Sequence, residues 1–405
     1  MKIGIVGYGK MGSGIFKLLA GKDFDITVYV RKEERRRKYE DKYLKGLERA
    51  CKRGRITREQ LEEKKSRIQF TSDYKDLEDS DLVIETAVED FDQKSLIFAK
   101  LEEVTGRDSV LVTNTSSISI GKLARSFRYP DRFCGFHFFY PIPLINLVEI
   151  VKASNTSPET IDFLKDLSAR IGKLSITVRD APGSVINAIL AYYYAEALYL
   201  LEEGWLPPSR IDELAKRYFY VGPCESIDVI GVDFFVHALQ IGSTPEGLCP
   251  IVLDREVGEI SPEAVGGREG FHVPRLLPKL IAENRLGRKV SRGIFLYDRE
   301  KPVDDILEFY RDPDRANPGQ AQQDEELAAM RLLYAVFNGT LFSLYKQMAT
   351  PEDLDTGVRE ILQMEVGPLS MIKMWGVEEV RKNFEFLESR VGKRFSQKGL
   401  ELLEP

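Results

Sequence analysis

The chain has 405 residues, 43% hydrophobic and 30% charged; this length suggests two or three domains at roughly 100–200 residues each, and the balance excludes a protein disordered along its whole length. A net charge of −6 gives no electrostatic reason to bind nucleic acid or an anionic membrane, and no apolar run approaches the roughly 20 residues of a membrane span. Four cysteines (Cys51, Cys134, Cys224, Cys249), none in CxxC spacing, argue against a disulfide framework or a zinc ribbon and fit a reducing cytoplasm.

The first half alternates two kinds of segment. Strand-like runs stand at Ile3–Val6, Ile26–Val30, Leu82–Thr86, Val110–Thr113 and Phe133–Phe136. Helical runs stand between them at Gly12–Ala20, Asp92–Val104 and Ile118–Ser126. This order predicts a parallel, doubly wound sheet with right-handed crossovers. Residues 31–67 interrupt it with 16 Lys/Arg against 8 Asp/Glu. The turn at Gly54-Arg55, followed by Thr57 as an N-cap, reads as a helical hairpin between the second and third strands. Its basic face is either solvated or an arm for a phosphate-rich substrate.

Alternation stops near Asp180-Ala181-Pro182-Gly183, and long helical runs such as Val185–Leu201 begin. Gly222-Pro223 and Gly231-Val232 recur as Gly367-Pro368 and Gly376-Val377, and Pro208…Asp212 recurs as Pro351…Asp355. The expected organisation is therefore a Rossmann-type α/β domain at 1–180 and an all-α domain in two tandem copies, at 181–298 and 325–405. A linker at 299–324 joins the copies.

Three features carry chemistry. Gly7-Tyr8-Gly9-Lys10-Met11-Gly12 is a GxGxxG that follows a strand and opens a helix, the context in which it binds a dinucleotide pyrophosphate. The second strand ends Val30-Arg31-Lys32, without the acidic residue that holds the ribose of NAD, so Arg31 and Lys32 are candidates for the 2′-phosphate of NADP. His137 ends a strand, and Glu149 sits inside the apolar run Leu147–Val151. A buried carboxylate needs a partner, and a His–Glu pair would supply one and orient the imidazole for acid–base work. His237 and His272 have no such context and are read as structural. Asn114-Thr115-Ser116-Ser117 ends another strand, where small polar side chains can bind oxygens or cap a helix.

Together these motifs resemble the L-3-hydroxyacyl-CoA dehydrogenase family, collinearly to about residue 298. The shared pieces are Gly7 to Ile15, Val83-Ile84-Glu85 to Glu89-Asp90, Asn114 to Ser117, His137 to Glu149, Pro182-Gly183…Asn187, and Leu286-Gly287-Arg288-Lys289 with Arg292-Gly293. Residues from about 325 to 395 resemble the duplicated C-terminal domain of the larger fatty-oxidation multienzymes, without their hydratase half. The resemblance implies His137 as general base toward the 3-hydroxyl, Glu149 as its support, and Ser116 and Asn187 as donors to substrate oxygens. It implies Glu89 and Lys94 as cofactor contacts, and the basic hairpin as the segment beside the CoA tail. It implies an acyl-CoA substrate and NAD, with NADP as the alternative. The chain departs from the family pattern at Tyr140, where Asn is usual, at Ser184 and Ala188, where Phe and Arg are usual, and near Val30.

Single-copy members pair through the helical domain, so a second copy predicts a pseudo-dimeric monomer, with a homodimer as the alternative. Two competing activities share the motifs: a dehydrogenase of a free hydroxy acid or sugar acid, and a weakly catalytic dinucleotide-binding protein.

Overall fold

The structure is a computed structural model that describes residues 1–181, 183–242, 274–305, 307–311, 324–395 and 397–404. Pro182, Cys249, His272 and residues 312–323 of the expected linker lie outside the described residues. The chain divides into two compact units, Met1–Asp180 and Ala181–Pro405.

The first unit is built on eight strands: β1 (Lys2–Val6), β2 (Asp25–Tyr29), β3 (Ile68–Thr71), β4 (Leu82–Glu85), β5 (Val110–Thr113), β6 (Phe133–Phe138), β7 (Leu147–Lys152) and β8 (Leu174–Arg179). Their order is β3-β2-β1-β4-β5-β6-β7-β8. The chain runs outward from β1 on one side and returns on the other, so β1 and β4 flank the switch point where such sheets bind ligands. Helices α1 (Lys10–Leu19), α2 (Glu33–Lys52), α3 (Arg58–Ser66), α4 (Phe91–Val104), α5 (Ile120–Ala124) and α6 (Pro158–Ile171) complete the unit. Because the central strands are covered on both faces, they read as continuous apolar runs. One core gathers Ile15, Phe16 and Leu19 with Leu164 and Leu167. The other gathers Phe98, Leu101, Leu123 and Phe133.

Several details correct the sequence reading. The sheet is not parallel throughout: β6 and β7 are antiparallel, and β7 and β8 run parallel to each other. The connection over residues 139–146 is shorter than the dozen or more residues that a parallel crossover needs. Strand β6 extends to Phe138, so His137 lies within it. The basic hairpin, α2 and α3, runs into β3, a four-residue strand that composition does not announce. Thr57 caps α3, accepting from Gln60 N while Gln60 Oε1 accepts from Thr57 N.

The second unit is helical: α7 (Val185–Glu202), α8 (Pro208–Ala215), α9 (Pro223–Ile230), α10 (Val232–Gly242), α11 (Leu276–Ala282), α12 (Leu307–Tyr310), α13 (Glu325–Tyr345), α14 (Pro351–Leu362), α15 (Pro368–Trp375) and α16 (Val377–Val391). A two-stranded ribbon, β9 (Leu296–Asp298) with β10 (Lys301–Val303), precedes α12. The described part of the expected linker is therefore not free. Asp305 pairs with Arg285 at 2.6 Å, Tyr310 Oη donates to Ile294 O at 2.8 Å, and Asp304 accepts from Ser209 N at 2.9 Å.

Helices α7 and α13 pack against each other along almost fully buried faces. A side chain at Gly339 would come within 2.9 Å of Tyr192 and 3.1 Å of the Ile189 backbone, so glycine sets how closely they approach. Helix α13 qualifies a statement made from sequence: by length and composition it could cross a membrane, yet 89% of its most apolar stretch is buried inside the unit. Two turns in this unit share one device. Asp212 accepts from Cys224 N and Glu225 N at the start of α9, and Asp355 accepts from Leu369 N and Ser370 N at the start of α15.

Candidate active site

The glycine turn follows β1. Gly7 has φ +101°, and its N–H donates to Tyr29 O at 3.1 Å. A Cβ on Gly12 would fall 2.4 Å from both Gly7 O and Thr86 Oγ1, so only glycine lets α1 start against the turn. At Gly9 a Cβ would meet nothing within 4 Å, and Gly9 leaves the α1 N-terminus without a side-chain cap. Open space beside uncapped N–H groups fits a dinucleotide pyrophosphate. Lys10, in the same turn, lies 3.7 Å from the centre of the Tyr140 ring, a cation–π contact. It links the turn to the segment after β6.

Arg31 and Lys32 emerge exposed just beyond β2, beside the glycine turn. Among the described residues, no carboxylate stands within 4.0 Å of either. The nearby Glu33 is engaged elsewhere. Arg36, Ser72 and Arg37 hydrogen-bond it and hold its carboxyl well below the usual carboxylate range.

The catalytic candidates come from β6 and β7. The antiparallel register sets His137 directly opposite Glu149. His137 Nδ1 and Glu149 Oε2 are 2.9 Å apart, with the histidine side chain 8% exposed and that of the glutamate 0%. With Nδ1–H donating to the carboxylate, Nε2 is left to exchange a proton; this tautomer is assigned from the partner. Phe139 packs edge-on against the imidazole at 4.6 Å. Asn114 Oδ1, past the end of β5, accepts from Phe138 N at 2.9 Å and ties its loop to β6. Lys173 Nζ donates to Ile142 O and Ile145 O at 2.6 and 2.5 Å, fastening the connection that follows His137.

Glu89 organises the small-polar loop. Its Oε1 accepts from Ser117 Oγ at 2.5 Å, Ser117 N at 3.2 Å, Ser116 N at 3.3 Å and the Thr115 hydroxyl. Burial pushes the Glu89 carboxyl up, but the Lys94 ammonium and the Ser117 and Thr115 donors outweigh it and hold it below the ordinary value. Lys94, expected to touch the cofactor, is only 1% exposed. Its Nζ lies 2.9 and 2.8 Å from the two Glu85 oxygens and 3.4 Å from Glu89. Sequence reasoning assigned no role to Glu85, which also accepts from Thr113 Oγ1 and Ala87 N, both at 2.6 Å. Its signal was present: a carboxylate closing the apolar run Leu82-Val83-Ile84, the same clue that singled out Glu149.

Asn187 belongs to the second unit. Ser184 caps α7, accepting from Asn187 N at 3.2 Å. Hydroxyls are favoured at that position, so the Ser184 departure has a local structural use. Asn187 and Ala188 border a largely apolar pocket between α7 and α10. His237 is exposed on α10, and no group of three or more potential metal ligands occurs among the described residues.

Residues 2–181 match the family model described as the NAD binding domain of 3-hydroxyacyl-CoA dehydrogenase. Residues 183–297 and 328–404 match the model of its C-terminal domain. A 3-hydroxybutyryl-CoA dehydrogenase of Clostridioides difficile is 33% identical over 301 residues, covering 74% of this chain and 100% of the relative. The crystal structure of (S)-3-hydroxybutyryl-CoA dehydrogenase from Ralstonia eutropha is 32% identical with a TM-score of 0.61, covering 73% of this chain and 99% of that one. That of 3-hydroxybutyryl-CoA dehydrogenase from Escherichia coli, at 24% identity, shares the fold with a TM-score of 0.80 over 99% of this chain and 98% of its own.

Proposed function

This chain belongs to the 3-hydroxyacyl-CoA dehydrogenase family and is an oxidoreductase with an NAD-binding domain, and from that premise we propose that it interconverts (S)-3-hydroxyacyl-CoA and 3-ketoacyl-CoA with His137 as the acid–base group. The observation that carries this reading is the buried His137–Glu149 pair. Nε2 of His137 takes the proton of the 3-hydroxyl, and Glu149 stabilises the imidazolium that forms. Proton transfer of this kind contributes about 10²–10⁴-fold in rate. The nicotinamide, when bound, supplies the acceptor for the hydride that leaves C3. In the reverse direction His137 returns the proton to the 3-oxygen.

The remaining roles follow from the resemblance and the local geometry. The turn from Gly7 to Gly12, with Lys10 and Met11, holds the pyrophosphate. Ser116 and Asn187 donate to substrate oxygens. Glu89 faces the cofactor, with Lys94 acting through it. Arg31 and Lys32, which among the described residues form no ion pair, donate to a 2′-phosphate, so NADP(H) is used as well as NAD(H). The basic residues of α2 and α3 answer the phosphates of CoA. The three described cysteines, all free, are consistent with a reducing cytoplasm.

The two helical segments, 181–298 and 325–405, are read as copies of one domain. Both match the same family model, and both carry the aspartate-capped Gly-Pro turn. Packing of α7 on α13 then covers internally the face through which single-copy members pair, giving a pseudo-dimeric monomer. Light scattering at nanomolar concentration is expected to give the mass of one chain, and a tight dimer overturns this.

The activity is tested by following oxidation of NADH and, in parallel, NADPH with acetoacetyl-CoA, using His137→Gln as control. Turnover with both cofactors, reduced at least about 10²-fold in the variant, is the expected result. No turnover with either cofactor overturns the reading. Turnover with NADH alone removes the 2′-phosphate site and leaves the rest.

A further inference from the structure

Resting on the activity just proposed, we propose that the pocket between α7 and α10 receives the acyl tail of the substrate, and that the chain therefore prefers substrates longer than the four-carbon one named for its relatives. Among the described residues the lining contains no charged side chain. Ala188 and Ala191 on α7 face Ala238 on α10, and Tyr194, Phe234 and Phe235 provide aromatic walls. The Tyr194 and Phe235 rings meet edge-to-face at 5.5 Å, so the walls are packed against each other. The space in this partly open pocket is about 80 Å³, several times the ~10–15 Å³ that one water-sized sphere requires. A phosphate or a CoA headgroup would find no counter-charge here, whereas an alkyl chain would find apolar contact on most sides.

Two further observations select this occupant. The pocket is continuous with Asn187, the residue assigned to a substrate oxygen, so a chain held there by its oxygen has an apolar cavity adjoining the same side chain. Its rim is exposed apolar surface, with Phe234 at 57% and Ile230 at 40%, which a bound alkyl chain would cover. The inference also explains two departures that otherwise stand unrelated. Ser184 and Ala188, where the family has Phe and Arg, both line this pocket, and both replacements remove bulk from it.

The test is a chain-length profile. The full chain is assayed with 3-ketoacyl-CoA substrates from acetoacetyl-CoA upward, with NADH. Each methylene that enters the pocket is expected to raise kcat/KM about fourfold (~0.8 kcal/mol) until the pocket is full. Ala238→Leu, which fills the pocket, is expected to lower the ratio of long-chain to acetoacetyl-CoA kcat/KM by about tenfold. Phe234→Ala, on the exposed rim where folding is not at stake, is expected to flatten the profile. A flat profile in the unmodified chain, with acetoacetyl-CoA turned over well, overturns the pocket assignment and leaves the activity standing. So does a loss in both variants that is equal for every chain length. Failure to turn over any member of the series overturns the activity itself, and with it this inference.

Discussion

Each unit buries a cluster of charges, and the two clusters are built differently. In the first unit Glu85, Lys94 and Glu89 form a line whose outer member holds the Ser116–Ser117 loop. In the helical unit Arg331 and Arg394 lie between Glu196 and Glu203, with contacts of 2.5, 2.6, 2.8 and 3.1 Å. Burial pushes the Glu196 carboxyl up, and the two guanidinium groups outweigh that and bring it down. This second cluster is closed: its carboxylates are answered by guanidinium groups within the unit, and it joins α7 to α13. The first is open at Glu89, which is part-exposed and holds the loop after β5. Burial of charge alone therefore does not separate a structural cluster from a functional one.

The sharpest way to break this contrast is to remove one member of the closed cluster. Arg331→Met leaves Glu196 and Glu203 to share Arg394 alone and is expected to cost about 3 kcal/mol in urea unfolding. The kcat/KM of the protein that remains folded should stay near the unmodified value. An equal fall in activity per folded molecule would show that the closed cluster also serves catalysis. The open cluster should respond in the opposite sense. Glu89→Gln keeps an acceptor for the Ser116 and Ser117 N–H groups but loses the attraction of Lys94. It should lower kcat/KM by about ten- to a hundredfold through misplacement of the loop, while moving stability by less than about 1 kcal/mol. A large loss of stability with normal kinetics would make Glu89 a structural residue.

Asp212 offers a subtler comparison, a buried carboxylate held by backbone N–H groups. Burial raises its pKa from 3.8 to about 7, against the lowering effect of the Cys224 and Glu225 donors. The folded chain thus binds more protons than the unfolded chain across that interval, so the contribution of Asp212 to stability falls as pH rises from about 4 to about 7. Each unit of such a shift corresponds to about 1.4 kcal/mol. Urea midpoints of the unmodified chain, measured against pH beside those of Asp212→Asn, should show the steeper decline in the unmodified chain. Parallel curves would show that Asp212 is charged throughout.

Much of the site was legible because its physics is local. A glycine turn between strand and helix and a carboxylate in an apolar run each state a requirement that few arrangements meet, and His137 with Glu149 met it. What was not legible lay in segments too short to carry a pattern or depended on partners elsewhere in the chain. The reversal at β7 follows from a short connection and a docking edge rather than from composition. Strand β3 has four residues, and Ile68-Gln69-Phe70-Thr71 carries no pattern strong enough to separate it from the helix before it. Lys94, expected as a cofactor contact, is instead buried against Glu85 on a neighbouring strand. The pocket at Ala188 was visible only as an unexplained departure, because its other wall lies on α10.

The fastening of residues 142 and 145 by Lys173 has a consequence for how the chain is made. Synthesis delivers His137, and then Glu149, before the residue that ties down the connection between them. A growing chain that ends before Lys173, the residue preceding β8, holds both His137 and Glu149 but lacks the strut that shapes the stretch joining them. Competence in the first unit therefore comes with its final strand, and a ribosome-bound fragment ending before Lys173 would be a protein with its chemistry written but not yet set in place.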